Sequence, residues 1–205
     1  MIAHPRIYLA SQSPRRRELL KQAGINFDML LLRSDPRRTV DVDETPLSGE
    51  LPDAYVQRVS EAKARAAWDA LKFRNLRPAP ILAADTTVTV DGEILGKPRN
   101  REDAADMLRR MSGKTHQVLS AVAVILEERL EMRLSTTSVT FSRLGEDRIH
   151  RYLMTNEGHD KAGAYAIQGH AGVFVERLEG SYTGVMGLPL FETVELLRTF
   201  GLPTP

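Results

Sequence analysis

The residues of this chain that could do chemistry are acids, bases and hydroxyls, and none is a thiol. Its 205 residues hold 28 lysines and arginines, 27 aspartates and glutamates, and no cysteine. Disulfides, thiolate zinc sites and cysteine nucleophiles are therefore excluded. The densest charge lies in LASQSPRRREL, residues 9–19. Ser13 is a good N-cap and Pro14 suits the first helical position, which puts Arg15, Arg16 and Arg17 in the first turn of a helix. The helix dipole is positive there, so cations are the wrong charge unless an anion offsets them. A strand, a polar turn and a helix start form a phosphate cradle, to which Ser11 and Ser13 add hydroxyls and the arginines add forked donors. The same residues also fit a solvated basic helix start, and the GxxxxGK[ST] spacing of a P-loop is absent.

Further groups have the same double character. Asp85 follows ILAA with no polar buffer, and a carboxylate at the end of a buried strand must be paired, metal-bound or protonated. It fits a ligand site at a strand end or an aspartate capping the next turn. Lys63 falls in the helical series Val56, Val59, Lys63, Ala66, Ala70, where it either snorkels to water or points an ammonium inward at an anion. Lys97 and Arg99 flank Pro98 on a short loop. Asp43 and Glu44 offer hard oxygen ligands that suit Mg²⁺ or Mn²⁺, or form a solvated acidic loop. Gly163, Gly169 and Gly172 imply close backbone approach or positive φ, and the Gln168 amide can read a base edge as donor and acceptor. The five histidines lack HExxH spacing and read as surface or core residues.

These groups need a scaffold, and the periodicities supply an α/β one. Strands are expected at 6–10, 26–32, 80–84 and 86–90, with a hairpin turn at Asp91-Gly92. Longer paired strands are expected at 116–126 and 134–141 around a charged turn, EERLEM. Helices are expected at 14–22, at 52–72 with the stripe Tyr55, Val59, Ala62, Ala66, Ala70, from Asn100 to near Gly113, at 146–154, and from Pro189 to Phe200. Residues 33–50 show no period and read as a long loop, of the kind that is functional or disordered. A net charge of +1 gives no bulk field toward nucleic acid or membrane, and aromatics for base stacking are few. No apolar run reaches spanning length, and MIAHPRIYLASQSPRRR has no signal-peptide core. The length suits one domain over 1–205, without a linker or repeat, and a cytoplasmic location is expected.

Taken together, LASQSPRRREL, DE at 43–44, EAKARA at 61–66, AADTTV at 83–88, GKP at 96–98, SGKTHQV at 112–118, DKAGAYAIQG at 160–169 and GLPL at 187–190 resemble the Maf-like nucleoside triphosphate pyrophosphatases over residues 6 to 200. The DKAGAYAIQG form resembles the branch that prefers dTTP and UTP rather than 7-methyl-GTP. The resemblance implies hydrolysis between the α- and β-phosphates. It implies a mixed α/β fold with an elongated sheet, flanking helices and two lobes around a cleft, similar to the inosine-triphosphate pyrophosphatase fold. It further implies that Arg15, Arg16, Lys63 and Lys97 hold the triphosphate beside Ser11. Asp85 would be proton acceptor or metal ligand, Glu44 a second ligand for Mg²⁺ or Mn²⁺, and Thr86 and Gln168 would shape base selection. A homodimer is implied as well. Gln12 and Ala166 depart from the smaller residues usual at those positions. A nucleotide-binding regulator of septum formation, or an enzyme for another modified nucleotide, is the alternative.

Overall fold

The computed structural model describes residues 6–33 and 41–204. Pro36, Arg37 and Arg38 of the expected long loop lie outside the described residues, and 41–50 form neither helix nor strand. The frame is one seven-stranded mixed sheet in the order β2-β1-β3-β5-β6-β7, with β4 paired to β3. Its strands are β1 Ile7–Leu9, β2 Phe27–Met29, β3 Ile81–Val90, β4 Glu93–Leu95, β5 Thr115–Leu126, β6 Arg129–Phe141 and β7 Val175–Glu179. The helices are α1 Pro14–Gln22, α2 Pro52–Phe73, α3 Arg101–Met111, α4 Glu146–Met154, α5 Tyr182–Met186 and α6 Leu190–Thr199. The mixed α/β class and the flanking helices agree with the sequence.

Five details differ from expectation. The segments at 80–84 and 86–90 are one strand, β3, and Asp85 sits in its middle, because a counter-ion described below lets the carboxylate stay in the sheet. The charged turn shrinks to Glu127 and Glu128, with Glu127 at φ 56, and β6 begins at Arg129. Leu130, Met132 and Leu134 pack toward the core, while Arg129, Glu131 and Arg133 form their own ion pairs. A strand's period of two was present there beneath the charges. The strand expected at 26–32 keeps only Phe27–Met29. On α2 the buried residues are Tyr55, Val56, Val59, Ser60, Ala64, Ala67 and Leu71, so the stripe is rotated and Ala62, Ala66 and Ala70 are only half-buried. β7 and α5 arise in the glycine-rich stretch, where no period marked them.

Both faces of the sheet are covered, and the cover changes along β3. On one face α2 packs over Ile81 and Ala83 of β3 and over β5. On the other, Leu19 and Leu20 of α1 and Leu196 and Leu197 of α6 pack on Leu82 and Ala84. Further along that face, Val88 and Val90 meet α3, α4 and the segment around Tyr165. Along one edge of β3, β1 pairs at Ile81–Leu82 and β4 at Val88–Val90. Residues 83–87 thus have a ladder partner on the β5 side only, among the described residues. That gap separates two lobes and is the natural cleft.

Behind the second lobe, His116 is buried at 1% exposure and bonds Tyr165 Oη at 2.8 Å within a ring cluster with Phe141. Its Nδ1 has no partner, and burial pushes its pKa down from 6.5 to about 4. The unfolded chain therefore takes up this proton first as pH falls. The contribution is fully present above the unfolded value and is lost as pH drops from 6.5 toward about 4. Urea titrations across that window should show a loss of roughly 3 kcal/mol from this group, and His116→Phe should flatten that part of the profile.

Candidate active site

One ammonium organises the cleft. Lys63, reaching from α2, contacts Asp85 Oδ1 at 2.7 Å and Glu44 Oε1 at 2.8 Å. The Lys63 and Asp85 side chains are only 14% and 9% exposed, whereas Glu44 is 45% exposed. Two carboxylates brought this close repel each other, and the shared cation offsets that repulsion. Burial opposes ionisation of Glu44, but Lys63, followed by Lys97 and Arg16, holds its pKa below the usual carboxylate value. The Glu44 segment is pinned to α2, since Tyr55 Oη donates to the Glu44 carbonyl at 2.9 Å. Arg58 adds contacts to the Thr45 carbonyl at 3.0 Å and to Glu50 at 2.6 Å.

The arginines of the first turn divide the work. Ser13 caps α1 by accepting from the Arg16 amide at 3.5 Å, and Ser11 Oγ accepts from the Ser13 amide at 3.2 Å. Arg16 then reaches across the gap. Its Nε donates to the Gly187 carbonyl at 2.7 Å and its Nη1 to the Ala84 carbonyl at 2.6 Å and to Ser11 Oγ at 3.3 Å. Its Nη2 donates to Thr86 Oγ1 at 3.4 Å. Burial lowers the Arg16 pKa, Asp85 raises it back, Arg15 opposes and Glu44 helps. Arg15 has Asp160 as its facing charge, and Arg17 is exposed. The offset for the wrong-way charges is thus two backbone carbonyls for Arg16 and one carboxylate for Arg15.

Among the expected site residues, the structure brings Lys63, Asp85 and Glu44 together and sets Lys97 near enough to act on Glu44. Ser11, Arg16 and Thr86 form an adjoining set. Thr86 follows Asp85 in the strand and so points to the opposite face. There its hydroxyl meets Ser120 Oγ at 2.8 Å, and Ser120 donates to the Gly184 carbonyl at 2.7 Å. Gln168 is exposed, and the structure gives it no contact with Asp85 or Lys63.

The Maf-like protein family model matches residues 6–200. The chain belongs to this family. It is 53% identical over 196 residues to a dTTP/UTP pyrophosphatase of Dechloromonas aromatica, covering 96% of this chain and 98% of that one. It is 54% identical over 197 residues to a protein of the same name from Burkholderia orbicola, covering 95% and 93%. It is 52% identical over 196 residues to one from Nitrosomonas europaea, covering 96% and 95%. Among solved structures, the Staphylococcus aureus Ham1 protein aligns with 15% identity over 95% of this chain and 97% of that one, at a TM-score of 0.47.

In this Maf-like chain the GLPL segment has a visible task. Gly187 ends α5 at φ 115, a backbone conformation that favours glycine, and it presents its carbonyl to Arg16. Ser120 and Gly187 carried no charge signal in the sequence and were missed as parts of the site. Lys63 pairs a buried carboxylate, Asp85, and a half-exposed one, Glu44, so deleting it leaves the buried charge without its counter-ion. Lys63→Met should therefore cost about 3 kcal/mol or more in chemical unfolding. Adding Asp85→Asn to that background should recover part of the loss, because one stranded charge is gone.

Proposed function

We propose that this Maf-like protein is a nucleoside triphosphate pyrophosphatase that hydrolyses dTTP and UTP, or modified forms of these pyrimidine nucleotides, to the monophosphate and pyrophosphate. The observation that carries this reading is the buried Asp85, held by Lys63, with Arg16 and Lys97 adding positive charge to the same group of residues. The names of the relatives above support the substrate class. A triphosphate brings about four negative charges, so fixed cations pre-arranged around it stabilise charge without reorganising.

Asp85 uses one carboxylate oxygen on Lys63, and its other oxygen has no partner among the described residues. That oxygen is placed to accept a proton from the attacking water. The water's oxygen bonds to phosphorus, the α–β bridging P–O bond breaks, and pyrophosphate leaves with the bonding pair. Arg15 and Lys97 orient the phosphates. Arg16, tied to carbonyls on both sides of the gap, fixes the walls and adds positive potential.

Among the described residues no group of three or more histidine or acidic side chains is arranged to hold a metal ion. Two carboxylates meet at the Lys63 ammonium, however, which brings them close to each other, and Mg²⁺ or Mn²⁺ commonly takes one or two carboxylates and completes its shell with substrate phosphates and water. Glu44 and Asp85 fit that role, and a divalent ion bound there would supply Lewis-acid polarisation of phosphoryl oxygens. We extend the proposal to a homodimeric, single-domain cytoplasmic enzyme that needs neither nucleic acid nor membrane. No described helix is long and apolar enough to cross a membrane.

Asp85→Asn keeps the size and loses the base. Pyrophosphate release from dTTP should fall by about 100-fold or more, while binding of the nucleotide, followed by titration, persists. Wild-type binding without any turnover would replace the enzyme with a nucleotide-binding regulator.

A further inference from the structure

The cations of the proposed site do not suffice for its substrate. Glu44 and Asp85 cancel half the charge of Arg15, Arg16, Lys63 and Lys97, and Arg16 and Lys63 are already bonded. Another cation stands nearby. Lys161 lies in the segment that packs on the Val88 end of β3. The Gly163 amide donates to the Gly96 carbonyl at 3.1 Å, beside Lys97. Gly163 takes φ 68 and packs so tightly on β3 that an added Cβ would come within 3.0 Å of Val88 Cγ1. The Lys161 side chain is only 15% exposed, and its ammonium has one partner among the described residues, the Asp160 carboxylate. The charge of Asp160 also acts on Arg15 of the first lobe. One carboxylate, itself 64% exposed, thus pairs with one cation directly and attracts a second through space.

Building on the function proposed above, we propose that Lys161 is a further substrate-binding residue for the pyrophosphate portion of the nucleotide. In the free protein Asp160 holds the place of a phosphate between Lys161 and Arg15. An incoming phosphate, more highly charged and with more acceptor oxygens, displaces it to solvent. The arrangement keeps Lys161 and Arg15 from repelling each other across an empty cleft. It also makes the product pyrophosphate a competitor with Asp160, which favours its release.

The test is titration with pyrophosphate in the presence of Mg²⁺, alongside dTTP kinetics. Lys161→Met should weaken pyrophosphate binding and raise the KM for dTTP by about tenfold or more, and Lys161→Arg should recover most of both. Asp160→Asn should tighten pyrophosphate binding severalfold, since the competitor has lost its charge. Pyrophosphate affinity and KM unaffected by Lys161→Met, or weaker pyrophosphate binding in Asp160→Asn, would overturn the proposal. The titration needs no turnover, so a wild-type protein that fails to cleave dTTP would defeat the enzymatic reading separately. Asp160 is mostly exposed, which keeps its variant available if Lys161→Met does not fold.

Discussion

The site depends on a single ammonium shared by two carboxylates in a half-dry gap. Without Lys63, Asp85 would be a lone carboxylate in the middle of a buried strand. A buried charge with no partner is costly, so the strand would not hold an aspartate there. With Lys63 in place, Asp85 stays in the sheet, β3 runs unbroken from Ile81 to Val90, and both lobes are strung on one strand. The same contact draws in Glu44, so a segment without regular structure is fixed by charge at one point and by Tyr55 and Arg58 at others. Stability and chemistry meet here: an ion pair that is costly to desolvate is retained where its charges are useful.

The gap in pairing along β3 has the complementary role. β1 leaves the strand after Leu82 and β4 joins it at Val88. Between them, Arg16 of α1 and Lys63 of α2 reach Ala84, Asp85 and Thr86 without a neighbouring strand in the way. Arg16 spans this opening by bonding carbonyls of β3 and of the turn after α5, so the mouth of the cleft has a fixed width on one side. A cation at this helix N-terminus is tolerable because the Ala84 and Gly187 carbonyls and the nearby carboxylates offset the first-turn dipole, while burial works against it.

Much of this was legible from residues alone. The Ser13–Pro14 start of α1 and the Asn100 cap that accepts the Asp103 amide at 2.8 Å follow from local chemistry, whereas for Lys63 local chemistry left two directions open and the structure takes the inward one. Gly163 has the positive φ expected of it, and a Cβ on Gly169 would meet Glu157 Oε1 at 1.8 Å. The family was legible because its motifs occur in order along the chain. Asp85 was misjudged as a strand end because a charge breaks an apolar run in sequence but not in space once its counter-ion arrives from α2. The start of β6 was hidden for a related reason, since alternate charges masked Leu130, Met132 and Leu134. Ser120 and Gly187 depend on contacts between residues far apart in the chain, which no local period reports.

The central claim concerns which bond is broken at this site. Phosphorus NMR of the products from dTTP and Mg²⁺ reads that directly. The account predicts thymidine monophosphate and pyrophosphate in equal amounts, with no diphosphate at any stage. Thymidine diphosphate and orthophosphate would contradict it, because the water would then have been delivered to the other end of the triphosphate.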